Sequence, residues 1–144
     1  MTASGVAVKR LHHVSLSTSN LASQVAFYCD VLGGTVAHEF RNDTNELYGV
    51  FVYFGNGSFI EIFNDPGVAR VEKPAFRHLA LEVDDINAAA QFLRSKGYRP
   101  KVKRGRTDQV LQCFIEDADG NIVELQQHDE KSALSRFLRD FNKQ

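Results

Sequence analysis

HVSLSTSNLASQVAFYCDVLGG, residues 13–34, and HLALEVDDINAAAQFLRSKGY, residues 78–98, follow one plan. In each a histidine opens a run that alternates in polarity, the pattern of a strand with two unlike faces. A polar pair follows, Ser19-Asn20 in the first and Asp84-Asp85 in the second. Such side chains accept hydrogen bonds from the free N–H groups of a helix start. Helical spacing then begins, with Leu21, Val25, Tyr28 and Leu32 in the first copy and Ile86, Ala90 and Leu93 in the second. Glycine closes each helix, at Gly33-Gly34 and at Gly97.

The repeat extends further. FGNGSFIEIF (54–63) and DADGNIVELQ (117–126) each hold a tight-turn pair, Asn56-Gly57 or Asp119-Gly120, and each reaches a glutamate, Glu61 or Glu124, four residues after that glycine. The module is therefore strand, helix and three more strands, made twice. Strands are predicted at 11–17, 34–41, 47–55 and 58–63, then at 76–83, 100–104, 110–116 and 121–127. Module 1 covers about residues 9–63 and module 2 about 76–127, and NDPGVARVEKP marks a linker across 64–75. SALSRFLRDF (132–141) places Leu134, Phe137, Leu138 and Phe141 on one face of a C-terminal amphipathic helix spanning about 132–142, with Ser132 as its cap. That face is expected to pack on the outside of the sheet or on a partner chain. The fold class is α+β, one domain over residues 1–144, in which two βαβββ modules in tandem form a curved mixed sheet.

At 144 residues the chain is long enough to bury a core without crosslinks. Seventeen Lys and Arg oppose eighteen Asp and Glu, and a net charge of −1 gives no field that would draw nucleic acid or an anionic membrane. No apolar run is long enough to span a bilayer, and the start lacks the apolar core of a signal peptide. Cys29 and Cys113 suggest no disulfide framework, so the expected location is the cytoplasm and both thiols read as small buried hydrophobes.

Strand parity separates the two histidines of LHHVSLS (11–17). His13 shares a face with Ser15 and Ser17, whereas His12 falls with Val14 and Leu16. In the repeat His78 matches His13 and Arg77 matches His12, so His13 is the candidate functional residue. His12 reads as structural, or as a support for its neighbour. Glu61 lies between Ile60 and Ile62, and Glu124 between Val123 and Leu125. A carboxylate inside an apolar strand is costly unless paired or metal-bound. Taken singly, each of the four has a plain explanation as a hydrogen-bonded or solvated strand residue; their matched placement is harder to explain that way. Two imidazoles and two carboxylates form a mixed N/O donor set that suits one divalent Ni, Co, Zn, Mn or Fe per site.

LHHVSLSTSNLASQVAFYCDVLG, GNGSFIEIF, RHLALEVDDINAAAQFLRSKG and FIEDADGNIVEL together resemble the vicinal oxygen chelate superfamily, the glyoxalase I and bleomycin-resistance fold. The resemblance covers about residues 9–127. Within it, the order His13, Glu61, His78, Glu124 is similar to the metal ligands of glyoxalase I. The methylmalonyl-CoA epimerases carry Gln where Glu61 stands, and extradiol dioxygenases and fosfomycin-modifying enzymes use a His, His, Glu triad. The resemblance implies a metal-dependent lyase or isomerase that works by proton transfer through a metal-stabilised enediolate or enolate. Glu124 is the first candidate for the base and Glu61 the second.

Glyoxalase I members grip glutathione with an Arg four residues after the first His, where this chain has Ser17. They carry an Asn four residues after the first Glu, where Asp65 stands, and some carry a second Arg at the place of Pro74. The quartet is thus present and the glutathione grip largely absent. A small-molecule substrate is implied, with Ser15, Ser17, Phe59 and Phe63 as candidate pocket residues. The basic run RPKVKRGR (99–106) adds Arg104 and Arg106 as a lip for an anionic group, although a solvated loop explains the run more simply. The alternatives are another metalloenzyme of the superfamily (an Fe(II) extradiol-type dioxygenase, an acyl-CoA epimerase or a fosfomycin-type thiol transferase) and a non-catalytic bleomycin-resistance-like binding protein. The resemblance also implies a homodimer. Whether the two modules close on each other or on those of a partner chain stays open.

Overall fold

The structure is a computed structural model, and it describes residues 6–69, 72 and 75–143. Of the predicted linker, residues 70, 71, 73 and 74 lie outside the described residues, as does the beginning of the N-terminal segment. The chain divides into two compact units after Ala69.

The first unit runs β1 (His13–Thr18), α1 (Leu21–Ala26), β2 (Thr35–Arg41), β3 (Leu47–Tyr53) and β4 (Phe59–Asn64), and its sheet has the order β1-β4-β3-β2. β1 pairs with β4 in parallel and the other pairs are antiparallel. The second unit repeats this with β5 (Leu79–Glu82), α2 (Ile86–Ser95), β6 (Lys103–Arg104), β7 (Leu111–Glu116) and β8 (Ile122–Gln127), in the order β5-β8-β7-β6, followed by α3 (Ala133–Phe141). The α+β class and the tandem βαβββ plan are therefore present, as one four-stranded mixed sheet in each unit.

Alternation sets which face is buried. In the first unit Leu16, Val50, Val52, Ile60 and Ile62 are buried on the side that meets α1. In the second, Leu79, Cys113, Ile115, Val123 and Leu125 are buried, and α2 buries Ile86, Ala90 and Leu93. Two of the three predicted caps operate: Asn20 accepts from Ser23 N–H, and Asp85 accepts from Asn87 and Ala88 N–H. Ser132 stands at the cap position of the C-terminal helix, but its hydroxyl accepts from Asp129 N–H and caps no helical N–H. Gln127 on β8 accepts from Ile86 N–H at 2.9 Å and ties the start of α2 to the sheet.

Some elements depart from the periodicity. α1 continues as a π-helical turn, Phe27–Val31, in which Leu32 N–H reaches Phe27 O at 3.1 Å. The wider turn lets both Phe27 and Tyr28 turn inward, where their rings meet edge to face, and a strict 3.6-residue spacing cannot foresee this. The two hairpin turns also differ. Asn56 and Gly57, at φ 50° and 70°, make a turn with both central residues left-handed, whereas Asp117 accepts from Asp119 and Asn121 N–H and leaves only Gly120, at φ 81°, left-handed. β5 begins at Leu79, so His78 stands just before the strand, and β6 keeps only two of its predicted residues.

α3 does not pack on the sheet, the first of the two placements expected for it. None of its residues is buried, and Leu134, Phe137, Leu138 and Phe141 all stay exposed, with the two Phe rings stacked on each other. Its start is held by Asp129, whose N–H meets Ser132 Oγ and whose carboxylate accepts both ends of the Arg104 fork at 2.8 and 3.2 Å. Among the described residues no helix is long and apolar enough to cross a membrane.

Candidate functional site

In the first unit the face opposite α1 carries His13, Ser15 and Ser17 on β1, with Glu61 on the neighbouring β4. His13 Nε2 lies 4.0 Å from Glu61 Oε1, and the two side chains are 37% and 16% exposed. The Phe51 ring meets the His13 imidazole edge to face at 5.3 Å and stands across the sheet from Glu61. His12 stacks on Phe59 with ring centroids 5.0 Å apart. Its Nδ1 lies 2.9 Å from His13 Nδ1, so one of those nitrogens carries the proton and the other accepts it. When His13 is the donor, its Nε2 keeps a free lone pair toward Glu61.

The second unit repeats the arrangement. His78 Nε2 is 2.9 Å from Glu124 Oε2, and the Phe114 ring meets His78 edge to face at 6.0 Å and stands across the sheet from Glu124. Glu124 is buried, with 4% exposure. Its Oε1 accepts from Gln126 Nε2 at 2.9 Å, and Gln126 Oε1 in turn lies 3.1 Å from His128 Nε2. A His128–Gln126 chain therefore holds the plane of the Glu124 carboxylate. An open cleft of about 410 Å³ borders His78, lined by Arg77, Phe114, Ile115, Glu116 and Ile122.

The repeated set is thus His, Glu and Phe. Phe51 and Phe114 each lie ten residues before their Glu. That constant offset was available in the sequence but drowned among eleven phenylalanines. Gln126 could have been found by strand parity, two residues past Glu124. His128 lies just past β8, where parity no longer binds.

The donor chemistry fits a divalent cation. Two donors about 2.1 Å from one ion stand about 3 Å apart at right angles and about 4.2 Å apart across it. The 2.9 Å and 4.0 Å separations fall close to those limits. Each unit supplies one such pair, and among the described residues no three His, Cys, Asp or Glu side chains form a metal-holding group. The other candidates are placed differently. Ser15 and Ser17 are exposed on the His13 face, Phe59 and Phe63 are half-buried beside Glu61, and Arg106 is exposed. Arg104 donates to Asp129 and to Gln109 O, so its fork is engaged within its own unit. That pairing holds the Asp129 carboxyl down at about 2. Burial pushes the Cys29 and Cys113 thiols up, away from a nucleophilic thiolate.

Residues 10–125 match the model of the Glyoxalase/Bleomycin resistance protein/Dioxygenase superfamily. A probable lactoylglutathione lyase of Vibrio cholerae is 30% identical over 86% of this chain and 94% of its own length. The human mitochondrial methylmalonyl-CoA epimerase is 30% identical over 82% of this chain and 73% of its own. Among solved structures, a glyoxalase family protein of Enterococcus faecalis superposes with a TM-score of 0.70 at 28% identity, covering 82% of this chain and 97% of the other. With most of its length matched by the family model, and with relatives at this identity, the chain belongs to the Glyoxalase/Bleomycin resistance protein/Dioxygenase superfamily.

Proposed function

We propose that this protein is a glyoxalase I-like, metal-dependent lyase or isomerase that moves a proton between adjacent carbons of a small oxygen-bearing substrate. His13, Glu61, His78 and Glu124 are its ligands for one divalent ion per site, drawn from Ni, Co, Zn, Mn and Fe. The observation that supports this most is the recurrence of His, Glu and Phe, with one His–Glu pair in each unit. A bound cation supplies Lewis-acid stabilisation to charge developing on two neighbouring substrate oxygens. The chain's own groups do the rest. Gln126 holds Glu124 Oε1, which leaves Oε2, on the His78 side, as the oxygen that accepts the substrate proton and returns it one carbon away. Phe51 and Phe114 shield the two imidazoles from one side. Ser17 and Asp65 offer no cation to a glutathione carboxylate, which weighs against glutathione as the carrier. Activity is expected in a cytoplasmic homodimer.

The test is elemental analysis of protein purified without chelators and then reconstituted with Ni, Co, Zn and Mn. It is followed by activity screening against dicarbonyl–thiol adducts, 2-acyl-CoA epimers, catechols and fosfomycin. One ion per site together with proton exchange on a carbonyl substrate supports the reading. Protein that takes up no metal, or that turns over only catechols or fosfomycin, overturns it. The relative that is an epimerase makes acyl-CoA epimerisation the second reading, and Glu61 in place of Gln weighs against it.

A further inference from the structure

We propose that the substrate carries an aromatic ring beside its chelating oxygens, and that the open face of the β1–β4 sheet receives that ring. This rests on the metal site proposed above and names the kind of molecule it serves. Glu61 stands on β4 between Phe59 and Phe63 and across from Phe51. Around it the rings run on without a break. Phe63 meets Phe40 at 5.0 Å, Phe40 meets Phe51 at 5.4 Å, Phe51 meets Phe59 at 5.9 Å and Phe59 meets Tyr53 at 5.1 Å.

These rings are not filling the core of the sheet. The opposite face already buries Val50, Val52, Ile60 and Ile62 against α1, while the four Phe remain half-exposed. Gly49 makes room for the wall, because a Cβ there would strike the Phe63 ring. The rings lie at 39° to 74° to one another and so offer both edges and faces, which suits an aromatic guest better than an aliphatic one. The face is also poor in cations. The only Lys or Arg in the four strands is Arg41, paired with Glu39 at 2.8 Å. Arg10, which precedes β1, lies against Gly57 in the turn between β3 and β4. The second unit lacks such a wall, with Ile122 and Gln126 flanking Glu124 where Phe59 and Phe63 flank Glu61.

The experiment titrates Ni²⁺-loaded protein with benzohydroxamate, cyclohexanecarbohydroxamate and acetohydroxamate, three side groups on one oxygen-chelating head. Phenyl is expected to bind at least about tenfold tighter than methyl and about two- to fivefold tighter than cyclohexyl. The Phe40→Leu/Phe63→Leu double variant should bring the phenyl-to-methyl ratio down to about threefold or less. Phe51 is left in place because its edge meets His13. Gly49→Ala, which displaces the Phe63 ring without removing any aromatic group, should lower the ratio as well. Equal binding of phenyl and methyl, or of phenyl and cyclohexyl, overturns the proposal, as does a preference that survives both variants. Should the protein take up no Ni²⁺, saturation-transfer NMR on the metal-free chain separates the two ideas. A benzohydroxamate ring signal that is lost in the double variant upholds the aromatic site while the metal reading fails. No ring signal overturns both.

Discussion

His78 Nε2 stands 2.9 Å from Glu124 Oε2, while at the matching place in the other unit His13 Nε2 stands 4.0 Å from Glu61 Oε1. The first distance lies within hydrogen-bonding range and the second does not. The difference follows the residue two places along the strand. Gln126 pins the Glu124 carboxylate from behind, whereas Phe63 leaves Glu61 without a comparable tether. The two halves of the repeat are thus built from one set of residue types with different freedom.

Gln126→Leu should therefore loosen the second unit. Glu124 Oε1 would lose a donor in a buried place, at a cost of about 1–3 kcal/mol. Denaturant unfolding measures this, and an unchanged midpoint would mean that Glu124 is held by other contacts.

Glu124→Gln should lower turnover by about two to four orders of magnitude at saturating metal, because an amide oxygen still coordinates but cannot take a proton. Its effect on metal affinity should be much smaller, and Glu61→Gln should be milder in turnover. The comparison needs a substrate from the screen. Near-normal turnover in Glu124→Gln would place the proton transfer elsewhere.

His13→Ala should abolish tight metal binding. Sequence parity alone makes His12→Ala nearly silent, but the 2.9 Å contact between the two Nδ1 atoms changes that expectation. Loss of a hydrogen bond behind a metal ligand typically costs about 10- to 100-fold in affinity. Calorimetric titration with Zn²⁺ should place His12→Ala between wild type and His13→Ala, and equal losses would show that strand parity does not tell the two histidines apart.

The Asp129 carboxyl sits at about 2, chiefly because Arg104 donates to it. A group lowered in the folded state contributes stability at pH values above its ordinary value near 3.8, and this is lost as pH falls through about 2. Hydrogen exchange at the start of α3 should therefore quicken between about pH 4 and pH 2. Asp129→Asn should flatten that dependence, and an acid limb unchanged in the variant would rule the pair out as its cause.

Local physics made much of this legible in the amino-acid order. Asn20 and Asp85 cap helices by side-chain reach alone, alternation along β1 and β4 sorts buried from open faces, and duplication singles out His13 from His12. These are short-range properties, and so His13, Glu61, His78 and Glu124 could be named from spacing. Tertiary structure decided what depends on neighbours across the sheet. It set Phe51 and Phe114 against the two imidazoles, turned Arg104 toward Asp129, and left the apolar face of α3 uncovered. Phe27 and Tyr28 both turn inward only because packing favours a π turn over regular spacing. Period and parity say which way a side chain points along its own element. What it meets there is determined by strand register and by the competition of other groups for the same partner, and neither is written in the spacing of a single segment.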